Sequence, residues 1–268
     1  LGLRRAGVVN EIVGFGRSAA SVQQALELGV IDRVGEDIAA EVADADLVLL
    51  ATPVGSMAEW MARIAPHLGA NTLVTDGGST KTNVVRDAYA QLGDKVGQFI
   101  PAHPIAGAEK SGAAAAMADL YVGKKVVITP LPENSPEAVQ RVKDAWLACG
   151  AQIFELSHTE HDAIFAAVSH LPHLLSFALV HDLAQRGNRD LLLSFAASGF
   201  RDFTRIAASS PEMWRDISLA NRDALLREIE AYQTELNFIQ QALANSDGDK
   251  LLNIFSQAQA IRRDWQGK

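Results

Sequence analysis

The sequence predicts a parallel, doubly wound α/β sheet over residues 1–155, followed by an all-helical half over residues 156–268. Three observations carry this. Short apolar runs alternate with helical patterns through the first half, the signature of a sheet covered by helices on both faces. Glycine-, proline- and serine-bearing turns follow the runs, where such a sheet presents its ligand loops. Beyond Leu156 the strand signals stop and apolar residues recur at helical spacing.

The elements follow in order. Leu1-Gly2-Leu3-Arg4-Arg5-Ala6-Gly7 reads as the tail of a helix stopped by glycine, with no initiator Met, so a first strand and glycine-rich loop are expected to lie upstream. Residues 11–15 read as a strand, turned by Gly16-Arg17-Ser18, and Ser18 or Ser21 caps the next helix. Leu47-Val48-Leu49-Leu50-Ala51 suits a strand buried on both faces, and Thr52-Pro53 ends it. Ser56 with Glu59 forms a capping-box pattern. Residues 72–75 make the next strand, ending in Asp76-Gly77-Gly78-Ser79-Thr80-Lys81 before a helix at about 82–92. Residues 96–100 are a buried strand leading into Pro101-Ala102-His103-Pro104-Ile105-Ala106-Gly107, which reads as a stiff, irregular strand end. Residues 125–129 make another strand, Ser135-Pro136 starts a helix, and residues 152–155 close the series. In the helical half, Leu225, Ile229, Tyr232, Leu236, Ile239 and Leu243 make one narrow apolar seam. Leu251, Phe255, Ala258, Ile261 and Trp265 make a second. Such seams suit a partner helix and predict a homodimer.

Composition narrows the functional classes. The formal charge is −8, from 24 basic and 32 acidic residues, which argues against nucleic acid as a partner. Cys149 is the only cysteine, so no intrachain disulfide forms and a reducing, cytoplasmic setting is expected. No apolar run approaches the about 18 residues of a membrane helix, and no membrane partner is expected.

Three turns at strand carboxyl ends are candidates for chemistry. Thr52-Pro53 either meets a ligand or simply stops its strand. At Asp76-Gly77-Gly78-Ser79, the glycines let a ligand approach the backbone and Ser79 stands near a helix N-terminus; the alternative is a tight turn capped by Ser79 or Thr80. His103, bracketed by Pro101 and Pro104, is either a base working near neutral pH or a hydrogen-bonded surface histidine. No G-x-G-x-x-G is present. Gly16 occupies the place where a dinucleotide fold commonly has an acid for the ribose hydroxyls, so Arg17 and Ser18 either bind a 2′-phosphate or are solvated turn residues. In the helical half, His170 and His173 share a face, as do His158 and His161. Without H-E-x-x-H or a cysteine cluster no metal site is expected. Arg205, among apolar neighbours, is either a carboxylate fork or paired with Asp202.

Taken together, five stretches resemble the prephenate/arogenate dehydrogenase family of tyrosine biosynthesis. They are Asp76-Gly77-Gly78-Ser79-Thr80-Lys81, His103-Pro104-Ile105-Ala106-Gly107 with Glu109, Ser169-His170-Leu171-Pro172-His173, the segment from Gly199 to Ala207, and Met213-Trp214-Arg215-Asp216. They keep the family's order and cover almost the whole chain. The resemblance implies a Rossmann-like nucleotide domain, a helical dimerisation domain and oxidative decarboxylation of prephenate or arogenate to 4-hydroxyphenylpyruvate or tyrosine. By it, His103 and Ser79 are catalytic, Arg205 receives a substrate carboxylate, and His173, Glu109 and Arg201 complete the polar site. Arg17, Ser18, Thr52, Pro53 and Gly78 are then the cofactor contacts, with NADP expected and NAD possible. Two alternatives remain: another small-acid NAD(P)-dependent dehydrogenase of the same plan, or a non-catalytic helical dimer with a vestigial nucleotide fold.

Overall fold

The computed structural model describes residues 1–107 and 112–265; Glu109 lies outside the described residues. Packing divides the chain into two units, Leu1–Arg222 and Asp223–Lys268.

The first unit opens with helix α1 (Gly2–Ala6), closed by Gly7 in the left-handed conformation at φ 68°. Strands β1 (Val13–Gly14) and β2 (Arg33–Val34) pair in parallel around helix α2 (Ala19–Glu27), which Ser18 caps by accepting from the Ser21 amide. After α3 (Ile38–Asp44), strands β3 (Leu47–Leu50), β4 (Leu73–Asp76) and β5 (Phe99–Ile100) form a parallel sheet in that order. Helices α4 (Met57–Ile64) and α5 (Thr82–Leu92) link them. Strands β6 (Ala102–Pro104), β7 (Lys125–Ile128) and β8 (Gln152–Glu155) form a third sheet, with α6 (Pro136–Ala148) between β7 and β8. Ser135 caps α6 and Pro136 is its first residue, as the sequence predicts.

The α/β class stands, but its detail differs from the expectation in three places. Hydrogen bonding divides the sheet into three pieces, and β6 runs antiparallel to β7. Pro101 separates β5 from β6: it has no N–H to continue the ladder, and its carbonyl accepts from the Thr129 amide at 3.0 Å. His103 therefore stands in a strand opposite Val127, not on an irregular loop. Ser56 does not close a capping box; its hydroxyl bonds the Pro53 carbonyl at 2.9 Å.

Helix α7 (His158–Phe165), with a capping box from Ser157 and Glu160, runs through a π turn (Ala166–His170) into α8 (Leu171–Ala184). Pro172 follows directly on the π turn, where the regular hydrogen-bond ladder is already interrupted, and the helical run continues through it. The 27 residues from His158 to Ala184 are long and apolar enough, by length and composition alone, to cross a membrane, which overturns the expectation of no such stretch. They nonetheless carry His161, Asp162 and His170, all buried and hydrogen-bonded within the protein. Helices α9 (Arg189–Ser194), α10 (Ser198–Thr204) and α11 (Pro211–Ala220) complete the unit. Trp214 and Ile217 of α11 join the apolar core that Met57, Met61, Val74, Val84 and Phe99 build. The second unit holds α12 (Arg222–Ala244) and α13 (Gly248–Asp264).

One ion pair sits at the centre of the first unit. Lys81 and Asp76 bond each other with side chains wholly out of solvent. One Asp76 oxygen accepts from the Ala102 amide at 2.9 Å, and the other from the Gly78 amide at 2.8 Å. Burial lowers the Lys81 pKa, and Asp76 opposes that shift. Lys81→Met leaves a buried carboxylate without its cation and is expected to cost about 3–5 kcal/mol in urea unfolding. A loss below about 1 kcal/mol would show that the pair holds nothing.

Candidate active site

The site is assembled where β6, the turn after β4 and helices α7, α8 and α11 meet. His103, half-buried on β6, bonds through Nδ1 to His161 Nε2 at 2.8 Å. His161 bonds through Nδ1 to Asp162 Oδ1, also at 2.8 Å. Asp162 takes the amides of Lys81 and Thr82, each at 2.8 Å, at the N-terminus of α5. Burial raises the Asp162 pKa, but the His161 ring and these amides outweigh it, and the carboxyl ends below its ordinary value.

This order sets the tautomers. Ionised Asp162 accepts, so neutral His161 carries its proton on Nδ1 and presents Nε2 as an acceptor. His103 then donates from Nδ1, which leaves its Nε2 with a free lone pair. Burial, then the proximity of His161 and Lys81, holds His103 well below the usual histidine range, so the ring is neutral at pH 7. The Phe165 ring, 4.9 Å away centroid to centroid, covers it.

The other expected residues join through a second set of contacts. Asn221 donates to the Asp162 carbonyl at 2.8 Å and meets His170 Nδ1 at 3.0 Å. The Ser79 backbone lies near His170 and opposes the shift, but burial lowers the His170 pKa to about 4. His170 meets Trp214 edge to face, and His173 stacks on the same indole with centroids 3.7 Å apart. Burial lowers the His173 pKa, and the nearby charge of Arg205 adds to that. Arg205 and Arg201 line a cavity of about 380 Å³ with Phe200 and Thr204. Ser79, His103, His173 and Arg205 thus belong to one connected cluster. His103 does not line that cavity.

At the turn after β3, the Thr52 hydroxyl is buried and has no partner among the described residues, while Pro53 is exposed. A side chain at Gly78 would meet Asp76 Oδ2 at 2.8 Å and Val54 Cγ1 at 2.9 Å, so only glycine lets the two turns close on each other. Arg17 and Ser18 lie apart, after β1 on the two-stranded sheet.

Three residues at the centre carry little sequence signal. The equal spacing of His158 and His161 suggests a pair, but His158 meets the Thr82 hydroxyl at the surface while His161 points at His103. Asp162 follows Glu160 and His161 in the polar first half of α7, so its charge alone does not single it out. Asn221 offers no signal, since it follows α11 as an ordinary helix end.

Comparison with known proteins agrees with this geometry. A family model described as prephenate dehydrogenase, nucleotide-binding domain, matches residues 1–155, and one described as prephenate dehydrogenase, dimerization domain, matches residues 157–257. Cyclohexadienyl dehydrogenase of Zymomonas mobilis is 36% identical over 241 residues, 89% of this chain and 81% of that one. Prephenate dehydrogenase of Bacillus subtilis is 37% identical over 254 residues, 94% of this chain and 68% of that one. The crystal structure of prephenate dehydrogenase from Aquifex aeolicus, in complex with hydroxyphenyl propionate and NAD+, superposes with a TM-score of 0.91. It is 36% identical, with 98% of this chain and 92% of that one covered. With both halves matched by the family's own models, the chain belongs to the prephenate dehydrogenase family.

Proposed function

We propose that this chain oxidises and decarboxylates prephenate, or its amino counterpart arogenate, with His103 as the base. Family membership makes it an NAD(P)-dependent dehydrogenase that works by oxidative decarboxylation. Neither a different small-acid dehydrogenase nor a non-catalytic helical dimer finds support among these relatives. The observation that carries the role of His103 is the chain His103–His161–Asp162, which orients a neutral imidazole and leaves Nε2 free.

A nicotinamide nucleotide fits the turns described. Thr52 offers an unpartnered buried hydroxyl, and Gly78 keeps the Asp76-Gly77-Gly78-Ser79 backbone clear of side chains. Nicotinamide, when bound, accepts the hydride from the ring carbon that bears the substrate hydroxyl. His103 Nε2 takes the hydroxyl proton as a ketone forms, with Ser79 assisting at that oxygen. The positive charge gained is spread toward Asp162 through His161. The ring carboxylate leaves as carbon dioxide, its electron pair fills the ring, and the oxygen regains a proton as the ring becomes aromatic. Arg205 holds a substrate carboxylate, with His173 and Arg201 around it, and Glu109 is assigned to the same polar site by its sequence motif alone. The nucleotide domain ends at residue 155 and the helical dimerisation domain begins at 156.

The dimer rests on uncovered apolar surface. On the second unit Leu236, Leu243, Phe255 and Trp265 of the two seams all stay exposed in the single chain. A second copy of the chain would cover them.

His103→Asn is expected to cut kcat by roughly 10²–10⁴ while cofactor affinity holds; near-normal kcat rejects the assignment. In the unmutated enzyme the base must be neutral, and its pKa is lowered. Activity should therefore stay level through pH 7 and fall only on acidification below about 6.5, the ordinary histidine value. Arg205→Ala should raise KM far more than it lowers thermal stability; early melting with unchanged KM in the folded fraction would make the residue structural. Sedimentation at micromolar concentration should show a dimer, and a stable monomer there would contradict the seam argument.

A further inference from the structure

Asn221 closes α11 and is buried, with 5% of its surface exposed. Its backbone amide bonds the Ile217 carbonyl at 2.9 Å, and Ile217 and Trp214 of the same helix are packed into the apolar core. The side chain therefore starts from a rigid mount. Its Nδ2 meets two partners. One is the Asp162 carbonyl at 2.8 Å, in the last turn of α7. The other is Nδ1 of His170 at 3.0 Å, and His170 is the residue that ends the π turn. A π turn departs from the regular helical ladder, and one side-chain amide here pins the run on both sides of it.

The same amide dictates the state of His170. A carbonyl oxygen only accepts, so the Asn221 atom facing Asp162 is the nitrogen, and its second N–H is left for His170. Nδ1 must then accept, which places the one proton of the neutral ring on Nε2. Burial keeps the ring neutral, and Asp162, His161 and His173, the titratable groups around it, do not reverse that. Only 1% of His170 is exposed, and its ring meets Trp214 edge to face with centroids 6.0 Å apart, which holds its orientation. The Ser79 backbone lies near the ring and favours a donor on it.

We propose that Asn221 is a positioning residue of the dehydrogenase reaction, fixing His170 as the Nε2–H tautomer so that His170 donates to the Ser79 backbone carbonyl and steadies the turn that carries Ser79. The proposal rests on the dehydrogenase reading above and adds a residue that acts through His170 rather than on the substrate.

The first test needs no variant of Asn221. Proton–nitrogen NMR correlation spectra of the full-length protein at pH 7, with His170 assigned by the signal lost in His170→Gln, should show a neutral ring protonated on Nε2. A proton on Nδ1 overturns the proposal. The second test is turnover of prephenate and arogenate by Asn221→Asp. This change keeps the shape but replaces the donor with an acceptor. The His170 proton should move to Nδ1, and kcat should fall roughly 10- to 100-fold with cofactor affinity unchanged. Should Asn221→Asp not fold, Asn221→Ala, which removes the donors without adding a charge, is expected to lose kcat to a similar degree. Normal kcat in a folded variant overturns the proposal, and so does a loss of kcat in Asn221→Asp with the His170 signal unchanged, which would make Asn221 merely structural. A wrong tautomer with normal turnover in the unmutated protein removes the positioning role alone. If the unmutated protein turns over neither substrate, the dehydrogenase reading falls and the positioning role with it.

Discussion

A lysine with no exposed side-chain surface needs a counter-charge in the interior, and Asp76 supplies it for Lys81. The same carboxylate also receives the amides of Gly78 and Ala102. Those amides immediately precede Ser79 and His103 in the chain. One side chain therefore sets the separation of two turns that would otherwise drift independently. Buried ion pairs add little net stability compared with apolar packing of the same volume. Geometry is the better account of why this one is worth keeping: it fixes where the strand end and the α5 N-terminus stand relative to each other.

Asp162 extends that framework into the helical segment. It sits at the N-terminus of α5, where the helix dipole and two unsatisfied amides favour a carboxylate. Through His161 it reaches His103, and through its backbone carbonyl it holds Asn221 at the end of α11. A helix that looks from its composition like a membrane span thus serves as the strut that orients the His103 ring. The π turn in it inserts an extra residue per turn, so side chains after it do not continue the stripe begun before it. His161 faces the sheet and His170 faces Asn221 from the same continuous run.

The single chain leaves large apolar side chains uncovered. Phe195 is 81% exposed, Ile261 73% and Val168 68%. Isolated exposed leucines need no explanation, but continuous apolar rows on α12 and α13 do. The second unit has little core of its own: α13 has no buried residue.

Much of the architecture was legible in the residues alone. Alternating apolar runs gave the α/β half, Ser18 and Ser135 announced their helices, and the seam spacing located α12 and α13. These signals are local: a strand, a cap or a helical stripe is written within a few neighbouring positions. The tertiary structure decided what local pattern cannot carry. His103 meets His161 across 58 residues and Lys81 meets Asp162 across 81, and no periodicity relates such positions. The Ser56 capping box failed because Ser56 lies in a tight turn with helical rather than extended backbone, and its hydroxyl donates to the Pro53 carbonyl instead of receiving an amide. The sequence by itself determined the elements and the residues able to do chemistry. Which buried charge answers which, and so which histidine keeps a free nitrogen, was decided only when the chain folded, because the partner of a desolvated group is chosen by proximity in space.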